Sequence, residues 1–261
     1  MTQNKKLKLK NTLYLFFVAS LLIFLQGCSA NQKNELRRIA QTSSASEIYK
    51  YKIAVLDDLK KYKRKLDLRN PYSYNPELRE KIFKEIETGK NTINLYQAGK
   101  ELTHENEYLH YAFLPENIQY RNDFLILGLY KLVYKAYDLS TSHKFTAIEY
   151  NSTYMQELYK YLQVVRWKIR TNKGNDGQYL FLTWQNNWQI ELMNHPATDL
   201  NIIRDLSFIK DKRETLFDHS NFSFEILMNR MLINVKYSLE ETNIEPYDMS
   251  VSALKTFVFI I

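Results

Sequence analysis

Cysteine and glycine are scarce in this chain of 261 residues, which has 1 Cys, 6 Gly and 5 Pro. A single cysteine excludes a disulfide-stapled fold, and so few glycines exclude collagen-like and Gly/Ser-rich architectures. Neither G-x-G-x-x-G nor G-x-x-x-x-G-K-[ST] occurs, so the sequence lacks the familiar phosphate-binding loops. It also lacks G-x-S-x-G, and no cysteine follows Cys28. The sequence therefore predicts no catalytic residue and no cofactor.

Histidines and carboxylates show no metal-binding spacing. His104 and His110 lie six residues apart, about 600° around a helix, and H-E-x-x-H does not occur. The loop at 172–177 has Gly174 where a calcium loop needs an oxygen ligand, and Thr183 where the bidentate Glu belongs. The sequence therefore predicts no metal site, and a hydrolase with unassigned carboxylates is the least favoured alternative.

The first 28 residues carry the strongest pattern in the chain. Residues 1–10 contain four lysines and no acid, and residues 13–25 (LYLFFVASLLIFL) are almost wholly apolar. A basic n-region, a short apolar h-region and small residues at a cleavage site define a secretory signal peptide. The apolar stretch falls short of the roughly 20 residues that a bilayer-spanning helix needs.

The segment Leu25-Gln26-Gly27-Cys28 resembles the lipobox of bacterial lipoproteins, a likeness that covers only the leader. It implies that residues 1–27 are cleaved and that Cys28 becomes the first residue of the mature protein. The Cys28 thiol would carry a diacylglyceryl group, and its amine often a further fatty acid such as palmitate. Two or three acyl chains suffice for stable membrane anchoring. Ser29 stands where, in enteric bacteria, Asp favours the inner membrane, so the outer membrane is expected.

The net charge of the chain does not indicate a nucleic-acid partner. The whole chain has 36 Lys+Arg against 29 Asp+Glu, a formal charge of +7. Without the four lysines of the leader, 32 basic residues face 29 acidic ones, which leaves +3. The basic excess thus belongs largely to the signal peptide, and no nucleic-acid binding is predicted.

Apolar periodicity predicts a mainly α protein. We expect a single domain of about seven to eight helices over residues 47–261, joined to Cys28 by a flexible tether at 28–46. One small β-hairpin near the loop at 172–177 is the alternative for that stretch. Helices are predicted over residues 47–68, 76–102, 103–114, 122–138, 152–170, 179–193, 198–210 and 223–241, followed by an apolar tail at 249–261.

Residues 182–189 (LTWQNNWQ) form a candidate ligand site. Trp184 and Trp188 are four residues apart and would share one face of a helix. Trp rings stack on sugars, and the amides around them, such as Asn187, hydrogen-bond hydroxyls. This composition would suit a glycan or peptidoglycan ligand, but the favoured interpretation is that both Trp side chains fill the core.

Two further segments are candidate interaction surfaces. Tyr130, Tyr134 and Tyr137 form a row at helical spacing that is interpreted first as core packing at a helix–helix seam, with a surface for a protein partner as the alternative. The basic run at 60–65 (KKYKRK) is interpreted as a solvated helix face, with contact to anionic lipid headgroups as the alternative.

Together these patterns predict a membrane-anchored lipoprotein of the bacterial cell envelope. Its helical domain is expected to bind another envelope protein, as a non-enzymatic scaffold or assembly component. The alternative is a glycan- or peptidoglycan-binding lipoprotein that uses Trp184, Asn187 and Trp188.

Overall fold

A computed structural model of the chain describes residues 43–141, 152–195, 200–215 and 221–259. The fold of these residues is mainly α, with one two-stranded antiparallel hairpin, which confirms the predicted class. The chain divides into two compact units, Met1–Ser46 and Glu47–Ile261, and every contact reported below lies in the second. The predicted signal peptide, Cys28 and most of the predicted tether lie outside the described residues.

Nine α-helices occur in the described ranges, and they are numbered in chain order. They are α1 (43–69), α2 (Pro76–Thr88), α3 (Glu105–Phe113), α4 (Arg121–Ala136), α5 (Ser152–Thr171), α6 (Asn187–Met193), α7 (Ser207–Lys210), α8 (Asn221–Glu241) and α9 (Val251–Thr256). Strands β1 (Tyr96–Gln97) and β2 (Lys100–Glu101) pair antiparallel, and 3-10 turns cover Leu139–Thr141 and Leu200–Asp205. None of the helices in these ranges combines the length and the apolar character that a bilayer crossing requires.

Helix α4 is the centre of the core. Fourteen of its 16 residues are buried, as expected for a helix that is apolar on nearly all sides. Gly128 allows α3 to approach closely, because a Cβ at this position would lie 2.9 Å from the Leu109 side chain. Tyr108 of α3 and Phe124 of α4 place their ring centroids 6.3 Å apart across this contact.

Helix α1 packs antiparallel against both α2 and α8. On the α8 side, Tyr51 contacts Tyr237 while Tyr62, eleven residues later, contacts Phe224. On the α2 side, Lys60 pairs with Glu87. The apolar positions of α1 therefore face the core between these two neighbours, as a stripe at helical spacing should.

Helix α2 is shorter than its sequence pattern predicts. The prediction of one helix over 76–102 is wrong after Thr88, because Gly89 adopts a left-handed conformation (φ 63°) and ends the helix. The buried Glu85 carboxylate then accepts the backbone N–H groups of Thr92 and Ile93, which holds the chain away from the helix axis. The hairpin follows here, and not near 172–177, where Lys173 and Tyr179 form only an isolated bridge.

The predicted helix over 179–193 exists only from Asn187 onward. The Asn70 side chain exchanges hydrogen bonds with the backbone N–H and carbonyl of Leu182. The Gln185 amide donates to the carbonyls of Ile169 and Phe181. These bonds occupy backbone groups that a helix would need, so residues 181–186 form a fixed loop instead. The predicted helix at 198–210 is likewise reduced to a 3-10 turn and the short α7.

Candidate functional site

The residues of the predicted glycan site do not assemble as expected. Trp184 is 42% exposed and lies in the loop before α6, whereas Trp188 lies in the first turn of α6 and is partly buried. Asn187 is buried, and its amide oxygen accepts the backbone N–H of Tyr179. The helical face that was to hold both Trp rings is therefore absent, because Trp184 is not in the helix, and Asn187 serves the fold.

The candidate tyrosine surface is wrong and the core interpretation holds, because Tyr130 and Tyr137 are buried and Tyr134 packs against the core. Tyr130 is fully buried and donates its hydroxyl to the carbonyls of Glu85 and Lys90, at 2.9 and 2.5 Å. The hydroxyls of Tyr137 and Ser238 are hydrogen-bonded at 2.9 Å in the interior, and Tyr134 packs partly buried against the core. Since α4 is surrounded on almost all sides, only Tyr134 of this row is partly accessible, which is too little for a partner surface.

The basic run at 60–65 is also not a uniformly solvated face. Lys63 is fully buried, and its Nζ lies 2.8 Å from Asp67 and 2.7 Å from Asp123. Burial raises the pKa of both carboxyls, and the nearby Lys63 only partly offsets this effect. Asp123 also accepts the backbone N–H of Asn75. These three residues, here called the buried charge cluster, tie α1 to α4 and to the loop before α2.

A cavity opens beside Trp184, between α1, α5, α8 and the loop at 181–186. Its empty volume is about 210 Å³, which includes open solvent at the mouth. Most of this volume is open solvent, and the enclosed part has room for about one water molecule. This Trp184 cavity is lined by, among others, Tyr62, Arg166, Arg170, Trp184, Phe224 and Glu225.

The loop that carries Trp184 is held by buried hydrogen bonds on both sides of it. The Thr183 hydroxyl, 1% exposed, donates to the Gln185 side chain at 2.8 Å. Gln185 in turn donates to the carbonyl of Ile169 on α5 at 2.6 Å. Trp184 is thus presented from a fixed backbone, and its exposure results from the loop conformation rather than from a lack of neighbours.

Two arginines and one carboxylate set the charge of the Trp184 cavity. Arg166 donates to Glu225 Oε1 through Nε, at 2.8 Å, and through Nη2. Arg170 stacks over the Trp184 ring, 4.9 Å from its centroid, and its Nη1 lies 3.9 Å from the same carboxylate oxygen. Together the two arginines and the glutamate have a formal charge of +1. Both guanidinium groups and the Trp184 ring line the same opening.

Sequence inspection missed most of this cavity. Arg166 and Arg170 are four residues apart on α5, a spacing that places them on one face, and this was the only available signal. Glu225 is 59 residues from Arg166, and Tyr62 comes from the first helix. Only the packing of α1 and α8 against α5 brings these residues together.

A second surface feature lies on α8 along the edge of its contact with α1, which Tyr237 borders. Ile226, Ile233 and Tyr237 are exposed by 56%, 47% and 44%, and their spacing of seven and four residues places them on one side of the helix. Glu240 and Glu241 follow at the end of the same helix, and no ion pair to either is found among the described residues. We call Ile226, Ile233 and Tyr237 the α8 row.

Comparison of the chain with protein-family models, with curated proteins and with solved structures finds no match. In the ranges that the structure describes, no group of three or more His, Cys, Asp or Glu side chains is arranged to hold a metal ion. The geometry of the Trp184 cavity and the α8 row is therefore the basis for a functional proposal.

Proposed function

We propose that this chain is a lipid-anchored lipoprotein of the bacterial cell envelope whose helical domain binds a partner protein, as a non-enzymatic scaffold or assembly component. The lipobox-like segment ending in Cys28 supports the anchor, and Ser29 supports the outer membrane over the inner one. The observation that supports protein binding is the α8 row.

The α8 row has the geometry of one half of a helix–helix contact. From Ile226 to Tyr237 the helix rises through eleven residue steps, about 16 Å along its axis. Apolar residues at intervals of seven and four are typical of the seam between packed helices, not of a solvated face. Apolar side chains left exposed in such a row gain stability when another apolar surface covers them.

The partner we propose presents a helix with an apolar face and a basic end. Arg230 lies within the α8 row but already pairs with the buried Asp58, at 2.9 Å, so the row itself offers no free cation. The charge available to a partner is that of Glu240 and Glu241 at one end. Lys or Arg side chains at the matching end of the partner helix would fix its direction.

Site-specific photocrosslinking in the native host tests this proposal. A photoreactive phenylalanine analogue at Ile233 is expected to crosslink one dominant protein, and the same analogue at Glu80, on the exposed side of α2, should not. Reversing the charge with Glu240→Lys and Glu241→Lys should reduce the crosslink. Equal crosslinking from both sites, or a crosslink only to a second copy of the chain, would contradict the proposed partner.

The anchor is tested separately with Cys28→Ala. Radiolabelled palmitate should be incorporated into the wild-type chain and not into this variant, and the variant should leave the membrane fraction. Incorporation of palmitate into the Cys28→Ala variant would contradict the anchor. It would not affect the interpretation of the crosslinking result.

The glycan alternative keeps one supporting observation, the exposed Trp184 ring. Isolated peptidoglycan should retain the full-length protein, and Trp184→Ala should reduce that retention if this alternative holds. Asn187→Ala is not a suitable test, because the Asn187 side chain is buried and bonded to the backbone.

A further inference from the structure

The solvent side of α1 carries cations and an apolar residue toward the end of the helix. Lys61, Arg64, Lys65 and Leu68 follow one another at steps of three, one and three residues, which places all four on one side of the helix. The Lys61 side chain is 46% exposed, Arg64 is exposed and Lys65 is partly exposed. These four residues and Tyr72, in the turn that follows α1, are here called the α1 patch.

Two cations of the α1 patch have no counter-charge from the protein. Lys61 pairs with Asp57 at 2.5 Å. Arg64 stacks on the Phe83 ring of α2, 5.5 Å from its centroid, and neither it nor Lys65 pairs with a carboxylate among the described residues. The other two acids in the second half of α1 are buried in ion pairs of their own. Two positive charges therefore face solvent on this side of the helix.

The apolar members of the α1 patch project into solvent. Leu68 is 75% exposed, and Tyr72, at 94%, is the most exposed large hydrophobic side chain of the described residues. Side chains this exposed stand out from the turn between α1 and α2 and line no groove. A flat or soft apolar surface covers such a tip more readily than a shaped pocket does.

Cations beside projecting apolar side chains match the surface of an anionic bilayer. Lys and Arg near such a surface are attracted to its negative headgroups. Leu gains by entering the boundary of the acyl region, and Tyr is favoured at the level of the headgroups. A nucleic acid would meet the same two cations but would leave Leu68 in water.

We infer that the α1 patch binds the surface of an anionic bilayer, with Arg64 and Lys65 on the headgroups and Leu68 and Tyr72 in the interfacial layer. The inference rests on the proposed envelope location and goes beyond the anchor, because it assigns lipid contact to the folded domain. Residue 43, where α1 begins, follows Cys28 by 15 residues, which reach up to about 50 Å when extended. Leu68 lies about 38 Å along α1. The α1 patch is therefore within reach of the bilayer that would hold Cys28.

A fluorescent label at position 68 tests this contact in the full-length chain. Cys28→Ala removes the single cysteine, so Leu68→Cys then supplies the only thiol for a nitrobenzoxadiazole label. Vesicles of phosphatidylcholine with phosphatidylglycerol should shift the emission of this label to the blue, and vesicles of phosphatidylcholine alone should not. The same label in Met193→Cys is the matched control and should not shift, because Met193 is 85% exposed but lies on α6.

Removal of the two unpaired cations tests the role of charge. Arg64→Gln together with Lys65→Gln should raise the concentration of anionic vesicles needed for half of the emission shift by about 30-fold, the effect of two basic residues near such a surface. Lys210→Gln together with Lys212→Gln removes the same charge from exposed positions at the end of α7 and should leave this concentration unchanged. All variants keep residues 1–27, so any binding of vesicles by the leader is common to them.

Four results would each overturn the inference: no shift at position 68, an equal shift at position 193, an equal shift with neutral vesicles, or no effect of the Arg64 and Lys65 substitutions. The same blue shift with polyuridylate RNA in place of vesicles would also overturn it and would assign the cations to nucleic acid. Because Cys28→Ala prevents acylation in every variant, failure of the α1 patch is distinct from failure of the anchor. Circular dichroism of each variant checks that the fold is kept.

Discussion

The buried charge cluster and the Trp184 cavity contain similar groups in very different surroundings. In the cluster, Lys63 lies between two carboxylates in the interior, with all three side chains almost completely excluded from solvent. In the cavity, Arg166 and Glu225 are each about one-third exposed, and Arg170 is 40% exposed. The formal charge of −1 in the cluster is offset by Arg79, 3.5 Å from Asp67, whereas the cavity has a surplus of positive charge.

The difference shows how burial decides the use of a charged group. Removing charges from water is costly, so the cluster persists because its carboxylates are paired and also accept N–H groups from Asn75 and Asn122. These bonds leave Lys63 no role beyond the fold. At the cavity, water still reaches the arginines, so N–H donors without a protein partner cost little.

The largest expected effect comes from removing the cation of the buried cluster. Lys63→Met leaves Asp123 without a cation and Asp67 with only the partly exposed Arg79, 3.5 Å away, and should lower the free energy of unfolding by about 3–5 kcal/mol. Chemical denaturation followed by circular dichroism measures this loss. The matched control is Lys61→Met, whose exposed pair with Asp57 should contribute no more than about 0.5 kcal/mol. Similar small losses in both variants would show that the cluster is not structurally important.

An intermediate effect is expected at the contact between α1 and α8. Asp58 is fully buried, but its partner Arg230 is half exposed, so this pair combines features of the two regions compared above. Arg230→Met should cost about 1–3 kcal/mol, less than Lys63→Met, because one side of the pair borders on water. The same denaturation assay measures it. A loss as large as that of Lys63→Met would mean that the exposure of one partner does not moderate the penalty.

The pH dependence of stability should differ in sign between two buried sites. Burial raises the pKa of Asp67 and Asp123 above their ordinary 3.8, so the folded state binds these protons more tightly than the unfolded state. Their contribution to stability is therefore fully present below pH 3.8. It decreases as the pH rises through the raised pKa values of the two carboxyls in the folded protein. Asp123→Asn should flatten this part of the curve in denaturation measurements across pH.

Glu107 provides the opposite case. Burial alone would raise its pKa, but Lys100 and the backbone N–H groups of His104 and Thr103 hydrogen-bond the carboxylate and lower the pKa from 4.5 to about 2. Its contribution is present above pH 4.5 and is lost as the pH falls toward 2. Glu107→Gln should remove that acid-side loss. The stability-against-pH curves of the two variants, Asp123→Asn and Glu107→Gln, should deviate from wild type in opposite directions. Deviation in the same direction would contradict the opposite signs assigned to the two sites.

The smallest effect on stability is expected at the cavity itself. Glu225→Gln replaces a carboxylate in a partly exposed pair and should change the free energy of unfolding by less than about 1 kcal/mol. Thermal unfolding of this variant beside wild type measures the change. A loss approaching that of Lys63→Met would indicate that the cavity arginines are structural after all.

Helices with a long, one-sided apolar stripe were predictable from sequence. The predicted 152–170 helix is observed as α5, Ser152–Thr171, because Met155, Leu158 and Leu162 repeat at helical spacing and are all buried. The stripe continues through Ile169, so local pattern and tertiary packing agree over the whole helix. Helix α8 was predictable for the same reason.

The segments that sequence reasoning got wrong are those whose backbone is fixed by distant side chains. Residues 181–186 are held open by Asn70, more than 100 residues away in the chain. The N-terminus of α6 donates two backbone N–H groups to Glu214, 26 and 27 residues further on. No local periodicity records such contacts, so the expected helical Trp face, and the site built on it, was not observed.

The sequence by itself determined the helical class, the extents of α5 and α8 and the likeness of the leader to a lipobox, because each depends on neighbouring residues. The tertiary structure alone decided that Tyr130 and Lys63 are interior, that Trp184 is exposed, and that Tyr62, Arg170 and Glu225 share one cavity. A stripe of apolar residues specifies which side of a helix is buried. Which polar residue becomes buried, and which partners meet it, depends on how helices far apart in the chain pack together.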